Sequence, residues 1–169
     1  MPTANTRVTL KNVKFYSSLS EETNCFTATV YFDGKKIGDC RNDGHGGSTH
    51  LYFSDREKEA EVISYCRSLP PISFGEFSLD CSLDLVLDGC LGEWLSKREG
   101  QRLEKDFEKG ICYGTPDRYY ISSFTIGKKK ASISDVLRSK DGLKVLRDAC
   151  EEFKGQGHVI LNNNLPFPV

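Results

Sequence analysis

At 169 residues and 19.0 kDa, with 38% hydrophobic and 28% charged residues, the chain has the composition of one folded domain with its own core. No apolar run approaches the roughly 18 residues of a membrane helix, and the start, MPTANTRVTLKNVKFYSS, lacks an apolar block followed by a small-residue cleavage site, so neither a membrane span nor a secretory signal is expected. A net charge of −1 speaks against a strongly basic nucleic-acid binder and equally against an acidic DNA mimic.

Val8, Leu10, Val13 and Phe15 alternate with polar neighbours except for a slip at Lys11-Asn12, which predicts a first strand with a bulge. Ser17 to Asn24 is polar turn material. Phe26, Ala28, Val30 and Phe32 then share one face, with Thr27, Thr29 and Tyr31 on the other, the period-2 pattern of a half-buried strand. Asp33-Gly34 follows directly and predicts a tight hairpin, because a type I′ turn needs positive φ at both central residues. Lys36 to Arg41 is the returning strand. Thr49, Leu51 and Phe53 form a third one after a glycine-rich loop.

Ser54 with Glu57 predicts a capping box, and Val62, Ile63, Cys66 and Leu69 recur at helical spacing until Pro70-Pro71 stops the helix. Phe77, Leu79 and Cys81 suggest a short strand. Leu83, Leu87, Cys90, Leu91, Trp94 and Leu95 mark the core face of a helix whose pattern extends to Lys109. Its glycines at 89, 92 and 100 leave two readings open: a break near Gly100, or a close approach of another element at Gly89 and Gly92. Arg118 to Ile126 reads as a strand after the turn Gly114-Thr115-Pro116-Asp117, and Lys128 to Lys130 as a basic turn. Helical spacing returns at Ile133, Val136 and Leu137 and again from Leu143 to Phe153, with Gly155 as its stop. His158 to Leu161 is a last short strand. Strands cluster first and helices later, so the expected class is α+β: a hairpin-based antiparallel N-terminal sheet packed against three or more helices, in a single domain over residues 1–169.

The densest group of polar and conformationally free residues is Asn42, Asp43, Gly44, His45, Gly46 and Gly47. Its glycine amides could converge on an anion, its side chains could hydrogen-bond, and His45 could carry a proton. It matches neither the P-loop nor the dinucleotide fingerprint, and a simple strand connection would use the same residues. Cys40, His45 and His50, with Asp43, give four potential metal donors, but the paired spacings of zinc sites are missing and strand alternation turns His50 away from its neighbours, so no metal is expected. No catalytic cysteine–histidine or carboxylate pair has a recognisable spacing, and no catalytic residue or cofactor is assigned.

Arg118, Tyr119 and Tyr120 with Lys128 to Lys130 could stack on and neutralise nucleic acid, and the order of elements over residues 8–69 is similar to the sheet and final helix of double-stranded RNA-binding domains. Here, however, that helix opens Asp55-Arg56-Glu57-Lys58-Glu59 in place of a lysine cluster, so RNA binding is the weakest expectation. The seven cysteines, Cys25, Cys40, Cys66, Cys81, Cys90, Cys112 and Cys150, are odd in number and irregularly spaced, with no C-x-x-C pair. They read as reduced, mostly buried thiols of a cytoplasmic protein.

Ser20-Glu21-Glu22-Thr23-Asn24-Cys25-Phe26-Thr27-Ala28, continuing through Asp33-Gly34-Lys35-Lys36-Ile37-Gly38 to Asn42–Gly47, resembles a family of small uncharacterised bacteriophage and prophage proteins. The resemblance extends past Leu69-Pro70-Pro71-Ile72 to about Gly110. It implies a phage origin and a bacterial host cytoplasm, and carries no catalytic residues. Small accessory phage proteins often inhibit host defence, so the expected function is a non-enzymatic binder of a host defence protein, an anti-CRISPR or other anti-defence inhibitor. The alternative is a nucleotide or cyclic-nucleotide module whose loop 42–47 holds a small phosphate-containing ligand.

Overall fold

A computed structural model describes residues 7–74, 76–116 and 118–169. Strands β1 (Val8–Phe15), β2 (Phe26–Phe32), β3 (Lys35–Asn42) and β4 (His50–Phe53) form an antiparallel sheet in sequential order. The slip in β1 is a bulge: its register to β2 shifts between Lys11 and Lys14, with Asn12 at φ 52°. Asp33 and Gly34 turn with φ of 49° and 76°, the type I′ geometry that Asp-Gly favours. A second bulge, between Val30 and Tyr31, leaves Ile37 and Gly38 both buried on β3.

Helix α1 (Arg56–Ser68) follows. Its cap is Asp55, whose carboxylate accepts the Glu57 amide at 2.9 Å, one residue later than the expected Ser54. A carboxylate serves better than a hydroxyl where amide dipoles sum to positive charge. Past Leu69 the two prolines end the helix, and β5 (Ile72–Phe74) pairs with β6 (Phe77–Leu79), whose Phe77 and Leu79 are exposed. Helix α2 (Leu83–Phe107) runs unbroken for 25 residues. β7 (Gly110–Gly114), β8 (Tyr119–Ile126) and β9 (Lys129–Ala131) then form a three-stranded sheet. β7 was not anticipated: ICYG is too short for an alternation to register. Thr115 and Arg118 exchange backbone hydrogen bonds of 3.0 Å at the β7–β8 turn; Asp117 of the expected turn lies outside the described residues. Two helices close the chain. α3 (Ile133–Leu137) carries a full Ser132–Asp135 capping box, and α4 (Gly142–Gly155) continues through Gly155, so that its left-handed stop falls at Gly157, φ 83°. The expected last strand is a single bridge, Ile160 to Tyr113.

The class is α+β. Packing divides the chain into two compact units, Met1–Leu95 and Ser96–Val169, each described by itself. The physical reason lies in α2, whose apolar face (Leu83, Val86, Leu87, Cys90, Leu91, Trp94, Leu95) stops at the charged run Lys97-Arg98-Glu99. In the first unit the inner sheet face (Phe26, Ala28, Val30, Phe32, Ile37, Cys40) packs with Val62 and Cys66 of α1 and with that apolar face. In the second, Ile111, Ala131, Ile133, Val136, Leu146, Cys150 and Ile160 form a separate core. Among the described residues, no helix is long and apolar enough to cross a membrane.

Asp106, buried beside the second core, accepts from Lys109 Nζ at 2.6 Å and from the Tyr119 hydroxyl at 2.7 Å. The Lys109 bond, followed by the Tyr119 bond, holds its carboxyl below the usual range against the opposing effect of burial. Burial and the donation to Asp106 push the Tyr119 phenol up to about 12. A lowered folded-state pKa stabilises above the unfolded value and is lost as pH falls through the folded one. Replacing Asp106 with Asn should therefore destabilise by about 1–3 kcal/mol at pH 7. The difference from wild type should shrink steadily in denaturation curves recorded below about pH 4, where an unperturbed carboxylate titrates.

α2 runs through Gly100 without a break, and two of its glycines stand in open space. A methyl group at Gly92 or Gly100 would meet no atom within 4 Å, so neither serves a close approach. Each therefore weakens α2 without return. Gly92→Ala and Gly100→Ala should each raise stability by about 0.5–1 kcal/mol in urea denaturation.

A candidate binding face on the N-terminal sheet

The loop joining β3 to β4 is built around the carboxamide of Asn42, the last residue of β3 and buried. Its Oδ1 accepts the Gly44 amide and the Thr23 hydroxyl, both at 2.9 Å. Its Nδ2 donates to the Gly47 carbonyl at 2.9 Å and to Thr49 Oγ1 at 3.2 Å. All four hydrogen-bonding positions of the amide are thereby filled. The chain of bonds continues outward, since Gly46 N–H donates to Thr23 Oγ1 (3.3 Å), and inward, where the Thr49 hydroxyl donates to Asp88 Oδ1 of α2 (2.5 Å). Burial raises the Asp88 carboxyl, and the Thr49 bond opposes that rise.

Gly44 makes this arrangement possible. Its φ is 90°, and a Cβ there would stand 2.2 Å from the Leu19 carbonyl oxygen, so only glycine fits. Its own carbonyl accepts the successive amides of Glu21, Glu22 and Thr23 at 3.0, 3.1 and 3.3 Å. Three adjacent amides converging on one oxygen form the concavity that elsewhere receives an anion. Here the Gly44 carbonyl occupies it. The polar segment Ser17–Asn24, including a 3-10 turn at Ser17–Leu19, thus holds the loop in place.

Of the six expected binding residues, Asn42 and Gly44 are turned inward, whereas Asp43, His45, Gly46 and Gly47 lie exposed. His45 Nδ1 stands 3.1 Å from Glu21 Oε2, and Asp43 pairs with Arg41 at 3.2 Å. The amides of Gly44 and Gly46, which a bound phosphate would need, are engaged within the protein.

The loop closes the rung Arg41↔His50, and that rung belongs to a longer row. The pairings Lys14↔Thr27, Thr27↔Arg41 and Arg41↔His50 carry one outward-facing residue from each of the four strands. A parallel row runs Lys11↔Thr29↔Asp39↔Tyr52. Residues of both rows line a shallow depression of about 380 Å³ on the sheet's open face. Tyr52 stands 58% exposed at its side. Sequence reading passed over this face because it treated each strand alone; the signal was the cationic and aromatic identity of outward positions once register aligned them.

The donors considered for a metal are dispersed. Cys40 points into the core and its thiol is pushed up to about 12 by burial, His50 lies on the opposite sheet face, and His45 is on the loop exterior. Among the described residues, no group of three or more His, Cys, Asp or Glu could hold a metal ion. All seven cysteines are free and buried, and burial raises Cys66 and Cys112 to about 11, which makes those two poor nucleophiles. Tyr119 and Tyr120 also part company. The former bonds Asp106, whereas the latter stacks on Tyr113, 5.7 Å away, itself stacked on Phe153 at 4.2 Å; Lys129 and Lys130 lie beyond the far end of β8.

No protein-family model, curated protein or solved structure matches the chain.

If Asn42 organises the loop, Asn42→Ala should lower the stability of the protein by about 2–4 kcal/mol in urea denaturation, because several partners lose their bonds together. Asp43→Ala, which removes only an exposed ion pair, should stay within about 0.5 kcal/mol of wild type.

Proposed function

We propose that the protein is a non-enzymatic binding protein that occupies the surface of a bacterial host defence protein, using the open face of its first sheet and the exposed side of loop 43–47. One observation carries the reading. Lys14, Thr27, Arg41 and His50 are aligned across four strands beside an uncovered Tyr52 and a depression that can seat a partner's side chain. Arginine and tyrosine are the residues on which binding energy concentrates, because they offer large rigid contact area with a polar end. The row stands on rigid backbone: the other side of the same strands is the core, and the loop at its end is tied down through Asn42. A face held in this way needs little ordering when it meets a partner.

The resemblance to phage proteins supports a host protein as that partner, and the polar, cationic character of the row supports an acidic epitope on it. The reading is tested by passing tagged protein over lysate of a susceptible bacterial host, identifying any stoichiometric partner, and titrating the purified pair by calorimetry. Tyr52→Ala and Arg41→Ala should each weaken that complex about tenfold or more, equivalent to at least 1.4 kcal/mol, without changing the melting temperature. Recovery of no stoichiometric partner, or full affinity in both variants, would reject it.

A further inference from the structure

The whole-chain charge of −1 conceals a division. Residues 1–95 carry 9 Lys and Arg against 14 Asp and Glu, and residues 96–169 carry 14 against 10, giving net charges of −5 and +4. Within the second unit part of this positive charge is concentrated along one structure. Arg98, Arg102 and Lys105 recur at helical spacing along the second half of α2, and Lys109 follows in the turn just past its end. They line one depression of about 540 Å³, closed at the side by Ile121 of β8. Lys109 also lines the neighbouring depression of about 280 Å³, which brings in Lys130, Ser123 and Ser132. The two depressions share that lysine, and the cations lining them are taken together as a basic trough.

Two carboxylates face it. Asp106 holds Lys109 at 2.6 Å and stands 4.0 Å from Arg102 Nε, which fixes both cations along the trough while their side chains stay 64% and 78% exposed. Glu108 is engaged by Ser134 at 3.0 Å and Asn164 at 3.1 Å. Among the residues lining the two depressions, five cations stand against two carboxylates. From Arg98 to the helix end at Phe107 the rise is about 14 Å, with Lys109 two residues beyond. That length, with a cation at each turn, suits an extended chain bearing an anion at each repeat better than a compact phosphate, which would meet one or two of them. Among the described residues no aromatic side chain lines either depression, so the contacts offered are to backbone charge and not to bases.

We propose that this trough binds the phosphodiester backbone of single-stranded nucleic acid, independently of sequence. A line of cations beside a helix can follow the phosphates of a single strand one after another. The guanidinium forks of Arg98 and Arg102 suit phosphate oxygens, with the lysines acting as point charges. This activity is separate from the protein contact proposed for the first unit.

The test uses the full chain and fluorescence anisotropy of a labelled oligothymidylate over a salt series. Engagement of three to four phosphates predicts that log K falls with log salt at a slope of about −2 to −3. Arg102→Ala with Lys105→Ala should weaken binding at least tenfold at 50 mM salt and flatten the slope by about 1.4, two phosphates' worth for a single strand. Lys140→Ala with Lys144→Ala, which removes equal charge from the same unit away from the trough, should change affinity less than about twofold. Both pairs are exposed, and unchanged melting temperatures verify that the fold survives. Absence of binding, equal losses in the two double variants, a matched duplex binding as tightly as the single strand, or displacement by polyglutamate of equal charge would each overturn the proposal.

Discussion

Each unit closes around the carboxamide of one buried asparagine. Asn42 takes two donors and two acceptors from the loop and the segments that flank it. Asn162 does the equivalent near the chain's end: its Oδ1 accepts the Cys112 amide at 2.6 Å, and its Nδ2 is shared among Phe107 O, Gly110 O and Asn164 Oδ1 at 3.1–3.3 Å. A carboxamide suits this task because it donates and accepts from one rigid plane, matching backbone groups that regular structure leaves unpaired. An apolar residue in either place would strand several buried polar groups, each costing about 1–3 kcal/mol. These two side chains turn irregular segments into fixed ones, and the surfaces beside them inherit that rigidity.

Rigidity matters differently for the two surfaces. On the first sheet, register aligns charges and rings across strands, so the spacing of the face is set by the distance between hydrogen-bonded neighbours. On α2, spacing is set by helical rise, and a buried carboxylate orients Arg102 and, just past the helix, Lys109. Neither arrangement depends on a flexible loop. The glycine-rich segment that looks most mobile in the sequence is among the more heavily bonded parts of the first unit.

Much of the architecture was legible beforehand. The Phe26–Phe32 alternation, the Asp33-Gly34 turn, the bulge near Asn12, the prolines after Leu69 and the periodicity of α2 and α4 are local signals, and local energetics decided them. What escaped depended on partners distant in sequence. β7 is defined by its pairing with β8, not by its own five residues. Whether Asn42 faces solvent or interior is decided by Thr23 and Thr49, and the glycines beside it serve close packing, a use that composition cannot separate from mobility. The basic row was hidden by summing charge over the whole chain, where the acidic first unit cancels the basic second.

The burial of every cysteine gives the molecule a built-in clock. Cys25, Cys40, Cys66, Cys81 and Cys90 belong to the first unit, Cys112 and Cys150 to the second, and all seven sit below the surface. A sulfhydryl reagent can reach them only when the surrounding segment swings open. The pace at which native protein takes up label, read thiol by thiol, is then a direct register of how often each half breathes.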